Sequence, residues 1–158
     1  MPALARTYNL SLQYLDGKGV PRDEARAFEL NVEAAESGYH DAVLAMGWFY
    51  LNGVGVESNA ELAEHWYRKS ARQGEPKAMF SLGQIAYRQR AFEDAFVWFT
   101  RAAEKGHARS IYWLGKLHWY GNGVPTADRT QAMTFFQKAA RANQVEAKRL
   151  LRYLSRNR

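Results

Sequence analysis

The sequence contains no cysteine, and this absence excludes three kinds of site at once. A chain without thiols has no disulfide framework, no thiolate-bound zinc and no cysteine nucleophile. No run of about eighteen consecutive apolar residues occurs either, which is the length that a membrane-spanning helix requires. The first residues also lack a basic segment followed by an apolar one, so no secretory signal is visible. We therefore expect a cytoplasmic protein, or a periplasmic one if the chain is a processed fragment.

Motifs of catalysis and metal binding are missing as well. The four histidines include no pair four residues apart and no H-E-x-x-H segment, and neither G-x-S-x-G nor S-x-x-K occurs. His118 falls at a core position of a predicted helix, which favours a packed, hydrogen-bonded imidazole over a general base. The sequence thus predicts a protein that is not an enzyme, with no catalytic residue, no metal site and no cofactor.

Charge is distributed unevenly along the chain, whose net charge is +6. Residues 1–79 contain 8 lysines and arginines against 11 aspartates and glutamates, whereas residues 80–158 contain 14 against 5. A basic second half is typical of a protein with an acidic partner, of nucleic-acid binding or of head-to-tail association. Solvated helix faces that keep the protein soluble are the structural alternative.

What the chain does contain is a phrase that recurs four times. Each copy has a small residue on a first helix, at Ser11, Gly47, Gly83 and Gly115, with spacings of 36, 36 and 32. Each copy then closes with a second helix that carries a pair of small residues near its end, Ala-Ala in three copies and Ser70-Ala71 in the second. A period in this range indicates units that are too small to bury their own apolar faces and must stack on their neighbours. The predicted fold class is all-α: a right-handed α/α solenoid of four helical hairpins plus a C-terminal capping helix.

Turn residues set the predicted boundaries. A glycine follows the closing pair of small residues in three repeats, and Asn143 takes its place in the fourth, where a left-handed helix end is expected. G-x-G-V turns join the two helices of repeats one, two and four, whereas the third repeat has a shorter turn that contains Arg88 and Arg90. In each second helix a large residue, such as Trp66 or Phe135, is expected to fill the gap between small ones. The prediction is a single domain over residues 1–158, with repeats at about 3–38, 39–74, 75–106 and 107–143 and a capping helix at 145–156.

The runs at residues 42–56 (A-V-L-A-M-G-W-F-Y-L-N-G-V-G-V), 63–74 and 112–124 resemble the Sel1-like repeat family, which is related to the tetratricopeptide repeats. The resemblance covers nearly the whole chain, although the short third turn is closer to a tetratricopeptide spacing. It implies a non-catalytic adaptor that assembles other proteins, as family members often do in bacterial signalling or envelope processes. Some secreted members bridge the two helices of a repeat with cysteines, and this chain has none.

The resemblance to tetratricopeptide proteins also implies a concave groove, lined by the first helix of each hairpin. The positions three before, one after and four after the repeat glycine would face it. Its ligand would be a protein or peptide segment that is apolar at a few anchors and acidic at the basic end. Mutual coverage of these rings is the alternative. The expected anchors are Trp48, Phe80, Tyr112 and Trp119, the expected charge readers are Arg88, Arg109 and Lys116, and the other expected partner-binding residues are Tyr8, Leu44, Gln84, Tyr87 and Tyr153.

Nucleic acid is the rival partner from a different class. The basic residues predicted for the last helix are Lys148, Arg149, Arg152, Arg156 and Arg158, and the rings that could stack on bases are Tyr112, Trp119 and Tyr153. This alternative function is the binding of single-stranded nucleic acid or another polyanion through the basic C-terminal half. Because no known nucleic-acid motif occurs, the interpretation that we favour is protein binding. The oligomeric state stays open.

Overall fold

The computed structural model describes residues 2–156, with side chains described from residue 3 onward. Within this part of the chain there are nine α-helices and no β-strand, so the predicted all-α class is confirmed. In chain order the helices are α1 (Pro2–Asp16), α2 (Glu24–Glu36), α3 (His40–Asn52), α4 (Ala60–Arg72), α5 (Pro76–Arg88), α6 (Phe92–Glu104), α7 (Ala108–Tyr120), α8 (Arg129–Arg141) and α9 (Val145–Arg156).

Two compact units divide the structure, with the boundary between Ala78 and Met79. In the first unit α1 packs against α2 and α3 packs against α4, while α2 also contacts α3. In the second unit α7 packs against α8, α6 contacts α7, and α8 contacts α9. Each of these contacts joins helices that are neighbours in sequence, which is the pattern of a helical repeat.

Left-handed residues end the second helix of every repeat, as the sequence predicts. They satisfy helix carbonyls that would otherwise lack a partner. In the fourth repeat, for example, the N–H of Gln144 donates to the carbonyl of Ala139 at 3.0 Å. The φ angles are 84° at Gly38, 91° at Gly74, 82° at Gly106 and 63° at Asn143.

The short turn of the third repeat closes in a similar way without glycine. Arg90 takes the left-handed conformation with φ at 63°. The N–H of Ala91 then donates to the carbonyl of Ala86 at 2.9 Å. Because Arg90 carries a Cβ, this conformation costs about 1–2 kcal/mol relative to the right-handed region.

Each repeat glycine of a first helix meets an aromatic ring of the second helix. A Cβ added at Gly47 would lie 2.5 Å from the ring of Tyr67. A Cβ added at Gly83 would lie 2.6 Å from the ring of Phe99, and one added at Gly115 would lie 2.6 Å from the ring of Phe136. The missing side chain therefore sets how closely the two helices of a hairpin approach.

The large residues that the sequence predicts to fill the gap between small ones, such as Trp66 and Phe135, do not cover the repeat glycines. The residues that follow them in the chain, Tyr67 and Phe136, do so. Trp66 is only partly buried and packs against a cluster that contains Ala42 and Met46. Phe135 is likewise partly buried and packs against Ile111 and Ala147. The two clusters also contain residues outside the hairpin, namely Ala34 and Ala35 of α2 for Trp66 and Ala147 of α9 for Phe135. The residue that follows each of these large side chains covers the glycine within its own hairpin.

The first repeat solves the same packing problem with polar side chains. Ser11 stands at the glycine position and is fully buried. Its hydroxyl donates to the carbonyl of Ala27 at 2.6 Å, so the polar group is satisfied. Asn31 stands where the other repeats have the aromatic ring, and its amide donates to the carbonyl of Ala42 at 3.1 Å. A smaller residue on the second helix thus leaves room for a side chain on the first.

The G-x-G-V turns lie against the preceding repeat within each unit. A Cβ added at Gly55 would overlap the carbonyl oxygen of Glu24, and one at Gly123 would overlap that of Phe92. Gly19 has the same left-handed conformation, with φ at 80°, but no atom within 4 Å of an added Cβ. The second glycine of the turn is therefore needed for a close approach in repeats two and four, and only for its conformation in repeat one.

Candidate partner-binding surface

In the first unit the most exposed ring on a first helix is Trp48 of α3. Its relative exposure is 40%, although the edge of its ring contacts Phe49, with the two ring centroids 5.4 Å apart. The predicted neighbour Leu44 is partly exposed on the same helix. Because α3 is a regular helix whose inner side is buried, it presents Trp48 from a rigid backbone.

Tyr8 lies at the edge of the same unit. Its ring centroid is 5.3 Å from that of Tyr39, and the side chain is partly buried. Burial raises the pKa of the Tyr8 hydroxyl, and the charges of Asp41 and Tyr39 raise it further. Tyr8 is therefore a neutral, half-covered ring and offers less surface to a partner than Trp48 does.

In the second unit Phe80 is buried, with 6% of its surface exposed. Its ring centroid is 4.8 Å from that of His107 and 5.7 Å from that of Phe99. The guanidinium of Arg109 lies 5.3 Å above the same ring. For this residue the alternative of mutual coverage describes the structure, because the ring supports its neighbours and has little surface left for a partner.

A cation and two rings lie together on α5 and α7. The Lys116 ammonium is 4.1 Å from the ring centroid of Trp113 and 5.8 Å from that of Tyr87. The two ring centroids are 4.8 Å apart. Burial lowers the pKa of the Lys116 ammonium, since a partly desolvated charge is less stable than a hydrated one. Sequence reasoning missed Trp113, although its position three residues before Lys116 puts both on one face of the helix.

A second ring and cation pair joins α7 to the start of α8. The guanidinium of Arg129 lies 5.1 Å above the ring of Trp119. Trp119 and Tyr112 both pack against the buried Phe136, and their ring centroids lie 6.2 and 5.5 Å from the ring centroid of Phe136. Burial raises the pKa of the Tyr112 hydroxyl, with smaller contributions from Glu146 and Tyr120. Arg129 could not be found from periodicity, because a turn separates it from Trp119.

Three other residues predicted to bind a partner lie on α5 and α9. Gln84 is partly exposed in the middle of α5, and Arg88 is exposed at the end of that helix. Tyr153 on α9 is 64% exposed.

Four ion pairs lie in the first unit. The four pairs are Lys18–Asp16, Arg22–Glu24, Arg26–Glu29 and Arg68–Glu64. In the second unit Glu146 accepts a hydrogen bond from the amide of Gln144. The pKa of Glu146 is lowered mainly by a bond from its own backbone N–H, and to a smaller extent by Gln144, Arg109 and Arg149. Arg109 and Arg149 thus lie close enough to Glu146 to stabilise its charged form.

Catalytic and metal-binding geometry does not emerge from the described residues. They contain no group of three or more histidines, aspartates and glutamates that could hold a metal ion. The His118 ring packs between Phe96 and Phe135, with centroid distances of 5.9 and 5.3 Å, as its predicted packing requires. The predicted hydrogen bond is missing at one ring nitrogen, because the buried Nδ1 atom has no partner. Among the described helices none has the length and apolar character that crossing a membrane would take.

Comparison with known proteins assigns this architecture to a family. Over 158 aligned residues the chain is 30% identical to chitin synthase regulatory factor 3 of Schizosaccharomyces pombe, covering 96% of this chain and 16% of that protein. A crystal structure of a Sel1 repeat protein from Oxalobacter formigenes superimposes with a TM-score of 0.87 at 27% identity, over 94% of this chain and 62% of the other. A protective antigen of uropathogenic Escherichia coli with an SLR fold matches with a TM-score of 0.86 at 29% identity, over 96% of this chain and 33% of the other.

The family model identifies the repeat unit itself. The Sel1 repeat matches four times, at residues 7–39, 40–75, 76–107 and 108–144. Together with the high structural similarity to Sel1 repeat proteins, these matches confirm the resemblance and the solenoid class predicted from the repeated phrase. Sel1 repeats are a non-catalytic helical scaffold that generally mediates contacts between proteins, and the chain belongs to the Sel1 repeat family.

Proposed function

We propose that the chain is a non-catalytic adaptor that binds a segment of another protein through the ring of Trp48 in the first unit and the rings of Tyr112 and Trp119 in the second. The observation that carries this proposal is the exposure of Trp48, 40% of whose surface is accessible on a well-packed helix. Large rings of this kind dominate the binding energy of protein interfaces, whereas an isolated exposed tryptophan stabilises the free protein little. In the second unit Trp119 and Tyr112 offer partly exposed rings in a comparable setting.

The named relative supports a regulatory role. That fungal protein carries the name of a chitin synthase regulatory factor, and this chain corresponds to about a sixth of its length, since 16% of it is covered. Regulation of an enzyme by a repeat scaffold requires contact with that enzyme or with a protein bound to it. We accordingly propose that this chain supplies the contact surface, while any catalysis belongs to its partner.

The test is affinity capture from the lysate of the source cell with three baits. These are the wild type and the variants Trp48→Ala and Trp119→Ala. Each substitution is expected to weaken capture of the same protein by about 2 kcal/mol or more, because each removes a large interface ring. The captured protein is then purified, and its affinity for each variant is measured directly.

Tyr120→Ala is the matched control for this experiment. Tyr120 is 62% exposed and adjoins Trp119 on α7, but it lies outside the predicted stripe. Circular dichroism must show unchanged helicity in every variant. If both tryptophan variants lose their folded structure, the rings are part of the core. If both stay folded and bind the partner as well as the Tyr120 variant does, the proposed surface is wrong.

A second candidate function is supported by α9. Four basic residues of this helix are exposed, and so is its one aromatic ring. Polyanion binding through this helix should weaken steeply with salt, because each neutralised phosphate releases a counterion. An aromatic-anchored protein complex should respond only moderately. Repeating the capture at two salt concentrations, with a nuclease-treated sample alongside, separates the two functions. The basic residues concerned are Lys148, Arg149, Arg152 and Arg156, whereas Arg158, which the sequence also predicts for this surface, lies outside the described residues.

A further inference from the structure

Lys116 occupies a costly position in the free protein. Its ammonium is partly buried against the rings of Trp113 and Tyr87, at 4.1 and 5.8 Å from their centroids. Among the described residues no carboxylate oxygen lies within 4.0 Å of it. Attraction to the rings offsets only part of the lost hydration of a charge. The free protein therefore holds a partly desolvated cation without a counter-charge.

Arg129 is the second cation, and it is an exposed one. It is the first residue of α8, where the helix dipole favours negative charge and disfavours a cation. The second helices of the other repeats have an acidic residue in this first turn: Glu24 in α2, Glu61 in α4 and Glu93 in α6. In α8 the guanidinium instead lies 5.1 Å above the ring of Trp119. Helix stability thus gives no reason for an arginine at this place.

The two cations belong to one surface of the second unit. Lys116 and Trp119 are three residues apart on α7, so their side chains lie on the same face of the helix. Arg129 covers the ring of Trp119 from α8. The Asp128 carboxylate next to Arg129 caps the helix and accepts the backbone N–H of Gln131 at 2.9 Å. We call the two cations Lys116 and Arg129, together with the ring of Trp119, the cation pair.

We infer that the cation pair binds the carboxylate side chains of an acidic segment in the partner protein, and this inference rests on the proposed adaptor function. Charge complementarity identifies the ligand, because residues 80–158 contain 14 lysines and arginines and only 5 aspartates and glutamates. Carboxylates of this segment supply the missing counter-charge to Lys116 and pair with the exposed guanidinium of Arg129. The neighbouring rings of Trp113 and Trp119 then contact apolar residues that flank the acidic ones.

The same geometry disfavours a nucleic acid as the ligand. Base stacking needs an open aromatic face. Here the ring of Trp113 carries the Lys116 ammonium, and the ring of Trp119 carries the Arg129 guanidinium. A base would have to displace these cations from the rings before it could stack. Carboxylates reach the cations directly and leave the ring contacts in place.

The experiment uses the full chain and two synthetic libraries of short fluorescein-labelled peptides. One library combines leucine, tyrosine, serine and glutamate at randomised positions, and the other has glutamine in place of glutamate. Binding is measured by fluorescence anisotropy at constant ionic strength. A labelled oligothymidine of similar length serves as the polyanion probe. We expect selected glutamate peptides to bind about tenfold more tightly than their glutamine counterparts, as the loss of a charge-assisted hydrogen bond predicts.

Three variants locate the effect. Lys116→Met keeps an apolar stem and removes the ammonium, and Arg129→Gln removes the guanidinium. Each is expected to lower the affinity for glutamate peptides about tenfold and to leave glutamine peptides unaffected. Arg101→Gln is the matched control, because Arg101 lies 5.1 Å above the ring of Trp98 on α6, outside the cation pair. As a further check, Lys116→Arg retains the charge and should preserve glutamate binding.

Several outcomes would overturn the inference. These are equal affinity for the two libraries, no binding of either library, a loss in Arg101→Gln as large as in Lys116→Met, and tighter binding of oligothymidine than of the glutamate peptides. Trp119→Ala separates this failure from failure of the adaptor function. If both libraries bind equally and both lose binding in Trp119→Ala, the adaptor surface stands and only the recognition of carboxylates is wrong.

Discussion

The ring of Tyr67 occupies the space that a side chain on Gly47 would need, with 2.5 Å between the ring and the position of an added Cβ. Tyr67 is almost fully buried, at 4% exposure, and Gly47 is buried beneath it. The helices α3 and α4 therefore approach as closely as they do because one of them lacks a side chain. The same relationship joins α7 and α8 through Gly115 and Phe136.

Gly47→Ala should destabilise the protein by about 1–3 kcal/mol, because the new methyl group forces the ring or the helix to move. Urea denaturation followed by circular dichroism measures the change. The penalty should shrink in a Tyr67→Ala background, where the ring no longer occupies the space, and a double-mutant cycle gives the coupling. Equal penalties in both backgrounds would show that the ring does not set the distance between the helices.

Gly55→Ala should destabilise the protein more than Gly19→Ala does. Both glycines have a left-handed φ, at 66° and 80°, so both substitutions incur the same kind of backbone strain of about 1–2 kcal/mol. Only the Cβ at Gly55 also overlaps the carbonyl of Glu24 in the preceding repeat. The difference between the two variants in the free energy of unfolding therefore isolates the contact between repeats. Equal losses of stability in the two variants would mean that the turn of repeat two is not in close contact with α2.

The lowered pKa of Lys116 predicts that the stability of the protein depends on pH. The direction of the pKa shift gives the sign of this dependence. Burial lowers the pKa of this ammonium in the folded state. Between the lowered pKa and the ordinary value of an exposed lysine, the unfolded chain binds more protons than the folded one. The free energy of unfolding should therefore rise with pH across this alkaline range.

The measurement compares wild type with Lys116→Met by urea denaturation at a series of alkaline pH values. The variant lacks the titrating group, so the difference between the two proteins removes the contributions of all other lysines and tyrosines. The free energy of unfolding of the wild type should increase relative to that of the variant as the pH rises. A constant difference across the range would show that the ammonium is as well hydrated in the folded protein as in the unfolded chain.

Local signals were sufficient for much of the secondary structure. The capping helix predicted at 145–156 is α9, with the same bounds. The left-handed residues at the helix ends, including Asn143, were predictable because few residue types accept a positive φ. Repeat glycines and Ala-Ala pairs indicated the hairpins, since small residues that recur at a fixed period of this length are typical of stacked helical units.

The candidate site was less predictable, and particular residues show why. Phe80 fits the periodic pattern of an exposed stripe, yet His107 in the turn after α6 and Arg109 at the start of α7 pack against its buried ring. Trp113 and Arg129 lie outside the pattern and still contact Lys116 and Trp119. Periodicity identifies a helix face but does not identify what a neighbouring helix places against it.

The sequence by itself determined the helical repeat, the helix ends and the unequal charge of the two halves, because each depends on residues close together in the chain. Only the tertiary structure decided which ring meets each repeat glycine, which rings remain exposed and which cations lie over aromatic faces. These depend on the distances between helices, and those distances result from the packing of whole side chains. A glycine at position 47 permits a close approach, but the ring of Tyr67 determines what fills it.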